Sequence, residues 1–256
     1  MPAPPNLKQR LKARFSQWPG FEPARFLYGL FRVLRSRKET GLFVRTHLLL
    51  RRPPKELFQP FGNTSAERYP VIFRKMAELL EDGPERRVIS FGCSTGEEVF
   101  SLRRRFAQAR ILGLDVNSHS IAVCRSELRR HPDVGVEFAV ASSTAGLVDA
   151  SCDAILAMAV FRHGDLNQKP YPVRCDHRIH FADFEVAVRD FARCLKPGGL
   201  LILRHSMFRF ADTDVARQFE VVLRLGLNGS IPLYGRDDCL LSENQCPEVI
   251  FRKVRD

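Results

Sequence analysis

From Arg87 onward, short apolar runs alternate with amphipathic stretches, and this rhythm constrains the fold more than any other feature of the chain. "RVISFG", "ARILGLDV", "VGVEFAVAS", "CDAILAMAVF" and "LLILRHS" read as strands. Between them "GEEVFSLRRRFAQ", "SHSIAVCRSELRRH" and "DFEVAVRDFARCLKPGG" carry apolar residues at helical spacing. Val99, Phe100, Leu102 and Phe106 make the buried stripe of the first helix. Phe184, Val188, Phe191 and Leu195 make that of the last. Asn117 or Ser118 is competent to cap the second helix and Asp183 the last, which Pro197-Gly198-Gly199 is expected to end. "FEVVLRL" and "PEVIFRKVR" are predicted to be the final strands, joined through the turn signals "NGS" and "YGRDD". Strands alternating with helices imply an α/β fold, with a largely parallel sheet covered on both faces. In such folds the ligand lies beyond the carboxyl ends of the strands.

The region before Arg87 differs. Residues 6–50 read as helical, with Phe26, Leu27, Leu30, Phe31 and Leu34 on one stripe and arginines beside it. A second apolar and basic stretch stops at Pro53-Pro54, and "TSAERYPVIFRKMAELLEDG" predicts a loop and a helix ending near Gly83. Residues 1–60 hold 13 Lys/Arg against 3 Asp/Glu, whereas the rest of the chain is nearly balanced. The expected organisation is therefore a basic, apolar helical extension over 1–60 and one domain over 61–256. Three roles suit the extension: packing on the domain with its arginines in water, lying on an anionic membrane surface, or gripping an acidic partner such as RNA. The last is disfavoured, because the aromatics follow a helical stripe and not a flat stacking platform.

The 7 cysteines are odd in number and form no Cys-x-x-Cys pair. That usage, without a signal-like apolar core or a run of about 18 apolar residues, points to reduced thiols in the cytoplasm. Peripheral membrane contact is the alternative location.

Candidate chemistry begins at the first turn, "FGCSTGEEVF". Gly92 and Gly96 allow a tight turn and close approach of a ligand to the backbone. Two adjacent acids, Glu97 and Glu98, would repel a phosphate, so the ligand should carry positive charge. The second strand ends at Asp115, where an acid can accept both hydroxyls of a ribose. Together these features suit a nucleoside ligand with no pyrophosphate.

The series "FGCSTGEE", "LGLDVN", "CDAILAMAVF" and "LKPGGLLIL" resembles the motifs of class I S-adenosylmethionine-dependent methyltransferases, over about residues 64–205. "CSTGEE" is most similar to the chemotaxis-receptor methyltransferases, which methylate protein glutamates. The resemblance implies a Rossmann-like seven-stranded sheet with an antiparallel last strand, and S-adenosylmethionine as cofactor. It also implies a cofactor site drawn from Gly92, Cys93, Ser94, Gly96, Glu97, Glu98, Asp115, Val116, Ser142 and Met158. Glu98 is the first choice to pair with the cofactor ammonium and Glu97 the second. "NTSAERYP" resembles a segment that closes over the cofactor, which gives Arg68 the cofactor carboxylate. Many family members carry an acid after the third strand for the adenine amino group; here Ser142 or a backbone carbonyl stands in that place.

Methyl transfer needs a base only when the nucleophile must first lose a proton. His163 and His205 follow the fourth and fifth strands and are the candidates, with Asp165 as a partner for His163. Cys175, His177 and His180 do not form a regular zinc pattern, so no metal is expected and the loop is taken as facing substrate. The resemblance, lacking Asn-Pro-Pro-Tyr or Asp-Pro-Pro-Tyr after the fourth strand, argues against nucleic-acid bases as acceptors. The expected reaction is methylation of an oxygen on a small molecule or glycan. A protein carboxylate is one alternative, and a non-catalytic cofactor-binding adaptor is the other.

Overall fold

The structure, a computed structural model, describes residues 57–59, 64–226, 231–242 and 246–254. All of them belong to one compact unit that begins at Arg52. The helices expected over residues 6–50 and the "NGS" turn lie outside the described residues.

Seven strands form one sheet in the order β3-β2-β1-β4-β5-β7-β6. They are β1 (Arg87–Phe91), β2 (Arg110–Asp115), β3 (Val136–Val140), β4 (Cys152–Met158), β5 (Leu195–Arg204), β6 (Phe219–Arg224) and β7 (Glu248–Lys253). β1 to β5 pair in parallel, and β7 runs antiparallel to both β5 and β6. This is the Rossmann-like sheet with a reversed last strand that the resemblance implied.

Among the described residues four α-helices cover the sheet: α1 (Pro70–Leu79), α2 (Glu97–Arg103), α3 (Ser118–Arg130) and α4 (Phe181–Cys194). α1 begins with Pro70 in its first turn, where a missing N–H costs nothing, and buries Ile72, Phe73 and Met76. Asn117 caps α3 by accepting from the His119 amide at 3.0 Å. β4 is buried at every residue, as a central parallel strand must be. Its side chains alternate between two cores. Ile155 and Ala157 face an aromatic cluster with α4, while Ala154, Leu156 and Met158 face a second cluster with α1.

The aromatic core centres on Phe161, just beyond β4. Its ring lies 4.9 Å from those of Phe58 and Phe184 and 6.0 Å from Phe191. Burying a phenylalanine contributes about 1.5–3 kcal/mol, and edge-to-face pairs add to this. The chain leaving β4 is thus pinned one residue before Arg162.

Two local expectations require correction. Asp183 does not cap α4: the helix starts at Phe181 after His180, and Asp183 lies in its first turn. The helix also ends sooner than Pro197-Gly198-Gly199 suggested. Leu195–Gly199 opens β5 instead, with Leu195 paired to Cys152 and a register irregularity before Ala154. Leu195 leaves the helix to pair with Cys152, and exposed Pro197-Gly198 form the irregularity before Leu200 resumes pairing with Ala154.

At the end of the sheet where β1, β4 and β5 begin, Asp153 ties these elements together. It accepts from Arg86 Nη1 at 3.0 Å, the Arg87 amide at 2.9 Å and Lys196 Nζ at 2.7 Å.

Candidate functional site

The cleft lies at the carboxyl ends of β1, β2 and β4, as parallel-sheet topology dictates. The turn after β1 is stitched to the end of β2. The Gly92 and Cys93 amides donate to the Leu114 carbonyl at 2.8 and 2.9 Å, and the Ser94 amide donates to Asp115 Oδ2 at 2.8 Å. Gly92 has a φ of +75°, and a Cβ there would meet Val160 Cγ2 at 2.5 Å. Glycine is therefore required both for the conformation and for the close approach of the β4 loop. Ser94, Ala159 and His205 also take left-handed φ values, at 49°, 60° and 56°. They lie just beyond β1, β4 and β5, so strain concentrates where three strands present their ends to the site.

Of the expected cofactor residues, Arg68, Gly92, Cys93, Ser94, Glu98, Asp115, Val116, Ser142 and Met158 line the cleft. Gly96 and Glu97 do not. Gly96 sets the start of α2 at a φ of +94°. Glu97 accepts from the Thr95 hydroxyl at 2.8 Å, inside the first turn.

Glu98 is held differently. Ser90 donates its hydroxyl to Glu98 Oε1 at 2.7 Å. Burial pushes the Glu98 carboxyl up to about 7, against the opposing effects of Ser90 and Arg68. An acid in that state is poised to ionise when a cation arrives. Burial likewise raises Asp115, although the Asn117 and Ser94 amides pull the other way. Each Asp115 oxygen accepts one backbone amide, at 2.8 Å in both cases. An ionised carboxylate has about four acceptor positions, so capacity remains for two hydroxyls.

Cys93 lines the cleft, but hydrogen bonding with Cys124 and burial raise its thiol well above the ordinary range. It is a wall and not a nucleophile.

The two histidines occupy different positions. His163 is buried; its Nδ1 accepts from the Asp165 amide at 3.2 Å and caps the short turn Gly164–Asn167. Asp165 lies 3.8 Å from that nitrogen and 3.2 Å from Arg178. His205 stands beside Tyr69, ring centroids 5.8 Å apart. Burial first, then Arg204, Arg162 and Arg68, push it down to about 4. Neither histidine lines the cleft. In the later loop, Asp238 accepts from the Phe181 amide at 2.7 Å and lies 3.0 Å from His180 Nδ1. Among the described residues no group of three His, Cys, Asp or Glu side chains is placed to hold a metal ion.

Sequence reasoning missed Tyr69 and Arg162, which line the cleft on the side of β4. Tyr69 follows Arg68 in "NTSAERYP" and Arg162 follows the fourth strand, and only the closed sheet and α1 reveal them together.

Residues 89–203 match the family model of a methyltransferase domain. Such domains of the class I kind draw the methyl group from S-adenosylmethionine, and the donor set fits that molecule. The cleft offers carboxylates for an ammonium and a ribose, backbone at the Gly92 turn, and Val116 and Met158 as apolar walls. Among curated proteins, the fatty-acid O-methyltransferase of Mycolicibacterium smegmatis is 28% identical over 56% of this chain and 45% of its own length. The ribosomal RNA small subunit methyltransferase C of Hahella chejuensis is 33% identical over 51% of this chain and 35% of its own. The match thus spans less than half of either relative. A solved geranyl diphosphate C-methyltransferase from Streptomyces coelicolor A3(2) is 15% identical, with a TM-score of 0.39 over 52% of this chain and 44% of that one. Among the described residues no helix is long and apolar enough to cross a membrane.

Proposed function

We propose that this protein transfers a methyl group from S-adenosylmethionine to an oxygen of a small-molecule or glycan acceptor. The observation that carries this reading is the pair Glu98 and Asp115, held in one cleft on either side of the Gly92 turn. The first suits the cofactor ammonium and the second its ribose, while Arg68 supplies a cation for the carboxylate. Oxygen as the target is supported by the fatty-acid O-methyltransferase relative. Binding and alignment supply much of the rate in a displacement of this kind.

Calorimetry with S-adenosylmethionine and S-adenosylhomocysteine tests the reading. Both should bind, and Asp115→Ala should weaken binding by roughly 1–3 kcal/mol through lost charged hydrogen bonds. A wild-type protein that binds neither compound overturns it.

Methylation of a protein carboxylate, as in the chemotaxis enzymes, is the second reading, and "CSTGEE" is the feature that favours it. A non-catalytic adaptor is the third, excluded by methyl turnover on any acceptor in a cell extract. For the basic segment 1–60 we propose contact with an anionic membrane surface, in competition with packing on the domain. Sedimentation with anionic vesicles, reversed by salt, supports the membrane contact. Indifference to vesicles, with unfolding on deletion of the segment, supports packing.

A further inference from the structure

The cleft has two chemically opposite ends. Glu98 and Asp115 stand with β1 and β2, Arg162 follows β4, and Arg68 and Tyr69 lead into α1. Arg204 and His205 end β5 behind them. With Glu98, Asp115 and Arg68 assigned to the cofactor, Tyr69 and Arg162 are left for whatever receives the methyl group.

Arg162 is the notable member. It is half-buried, and among the described residues its buried Nε has no hydrogen-bond partner. Burial and the like charge of Arg68 both disfavour its charge, and among the described residues no carboxylate forms an ion pair with it. The Tyr69 hydroxyl is also buried without a partner. The same holds for the side-chain oxygen of Gln59 on the cleft wall, and rotation of that amide would present its NH₂ instead. Proteins rarely bury a guanidinium and a phenol unpartnered unless a ligand completes them.

We infer that this end of the cleft is an anion subsite, in which Arg162 and the Tyr69 hydroxyl bind a carboxylate of the small-molecule acceptor. The inference rests on the methyltransferase reading above and names its substrate class. A guanidinium fork matches a carboxylate in two parallel bonds, and the phenol adds a third donor. The chemistry agrees. A carboxylate oxygen attacks the methyl carbon, the C–O bond forms as the C–S bond breaks, and sulfur keeps the electron pair. The acceptor's negative charge and the sulfonium's positive charge cancel, and no proton has to leave. A neutral, withdrawn His205 is no obstacle to such a reaction, whereas a hydroxyl acceptor would need a base in reach.

The test uses the full chain saturated with S-adenosylhomocysteine, titrated by calorimetry with octanoate, citrate, inorganic phosphate and octan-1-ol. At least one carboxylate should bind, and octan-1-ol should bind at least about tenfold more weakly than octanoate if octanoate is the binder. Arg162→Gln should weaken the carboxylate at least about tenfold while leaving S-adenosylhomocysteine affinity within about twofold. Arg162→Lys, which keeps the charge but loses the fork, should fall between, and it provides the reading should the glutamine variant fail to fold. Absence of S-adenosylhomocysteine binding would bring down the methyltransferase reading itself, and the subsite with it. Cofactor binding without carboxylate binding overturns the subsite alone, and binding of phosphate only removes the carboxylate. Equal weakening of S-adenosylhomocysteine by Arg162→Gln would assign Arg162 to the cofactor and likewise overturn the inference.

Discussion

Ser90 on β1 and Glu98 on α2 meet across the first turn, the hydroxyl donating to the carboxyl oxygen at 2.7 Å. The bond fixes an acid inside the cleft before any ligand is present. Its partner at the end of β2, Asp115, is fixed in the same way by two backbone amides. Acids arranged beforehand lose little freedom when a cation and a ribose arrive.

The Glu98 carboxyl, raised to about 7 by burial, makes two opposite pH dependences. Without cofactor, its contribution to stability is fully present below the ordinary carboxylate pKa and is lost as pH rises through about 7. Glu98 keeps some surface open to the cleft, so screening by water moderates the size of this effect. S-adenosylmethionine, which needs the ionised form, should bind more tightly from pH 6 to pH 8 and release a proton below pH 7. Calorimetry in buffers of different ionisation enthalpy reads that proton directly. A flat profile would remove Glu98 from the ammonium site.

Glu98→Gln should weaken S-adenosylmethionine by roughly tenfold or more, through loss of a charge-assisted bond, and spare adenosine, which has no ammonium. Equal losses for both ligands would mean that Glu98 supports the turn and not the cofactor.

Gly92→Ala combines a left-handed backbone, about 1–2 kcal/mol for a non-glycine residue, with the 2.5 Å approach to Val160. Val160 also lines the cleft, so its retreat narrows the site. Thermal unfolding should show the stability loss and calorimetry a weaker cofactor. An unchanged melting temperature would contradict the close approach.

Asp153 is nearly inaccessible, at 4% exposure. Burial alone would raise its carboxyl, but Lys196, the Arg87 amide and Arg86 hold it below the usual range. Its contribution to stability is therefore present above its ordinary pKa and is lost as pH falls through the lower folded value. Asp153→Ala should cost roughly 3 kcal/mol, as removal of one member of a buried ion pair does. Urea unfolding at pH 7 measures it, and cofactor affinity should not move.

The two histidines separate by role. His163→Ala should lower stability by about 1 kcal/mol, the worth of a cap, and leave cofactor binding intact. His205→Ala should act on the acceptor through Tyr69 and Arg162, changing KM more than cofactor affinity. A large loss of kcat with unchanged KM for His163→Ala would instead restore it as a base.

Much of the lining of this cleft was legible in the sequence. Gly92 lies one residue beyond β1, Asp115 is the last residue of β2, and Glu98 lies in the first turn of the helix that follows β1. Of the two adjacent acids, Glu98 lines the cleft and Glu97 does not. The acceptor end was not legible. Tyr69 and Arg162 are far apart in sequence and follow no periodicity, and they approach because α1 lies against the sheet near the end of β4. The α4–β5 boundary was misread for a related reason. Pro197-Gly198-Gly199 is a strong local stop signal, but the helix ends before it because Leu195 pairs with Cys152 of another strand.

The reversed strand has a consequence for how the molecule comes into being. Among the described residues β6 has no hydrogen-bonded neighbour in the sheet except β7, which lies between it and β5. During synthesis the five parallel strands can assemble in turn, but Phe219–Arg224 must wait for Glu248–Lys253 to be made. Until then the β5 border of the young sheet is an open edge, and the chain is most exposed to wrong pairing in the last moments before its sheet is whole.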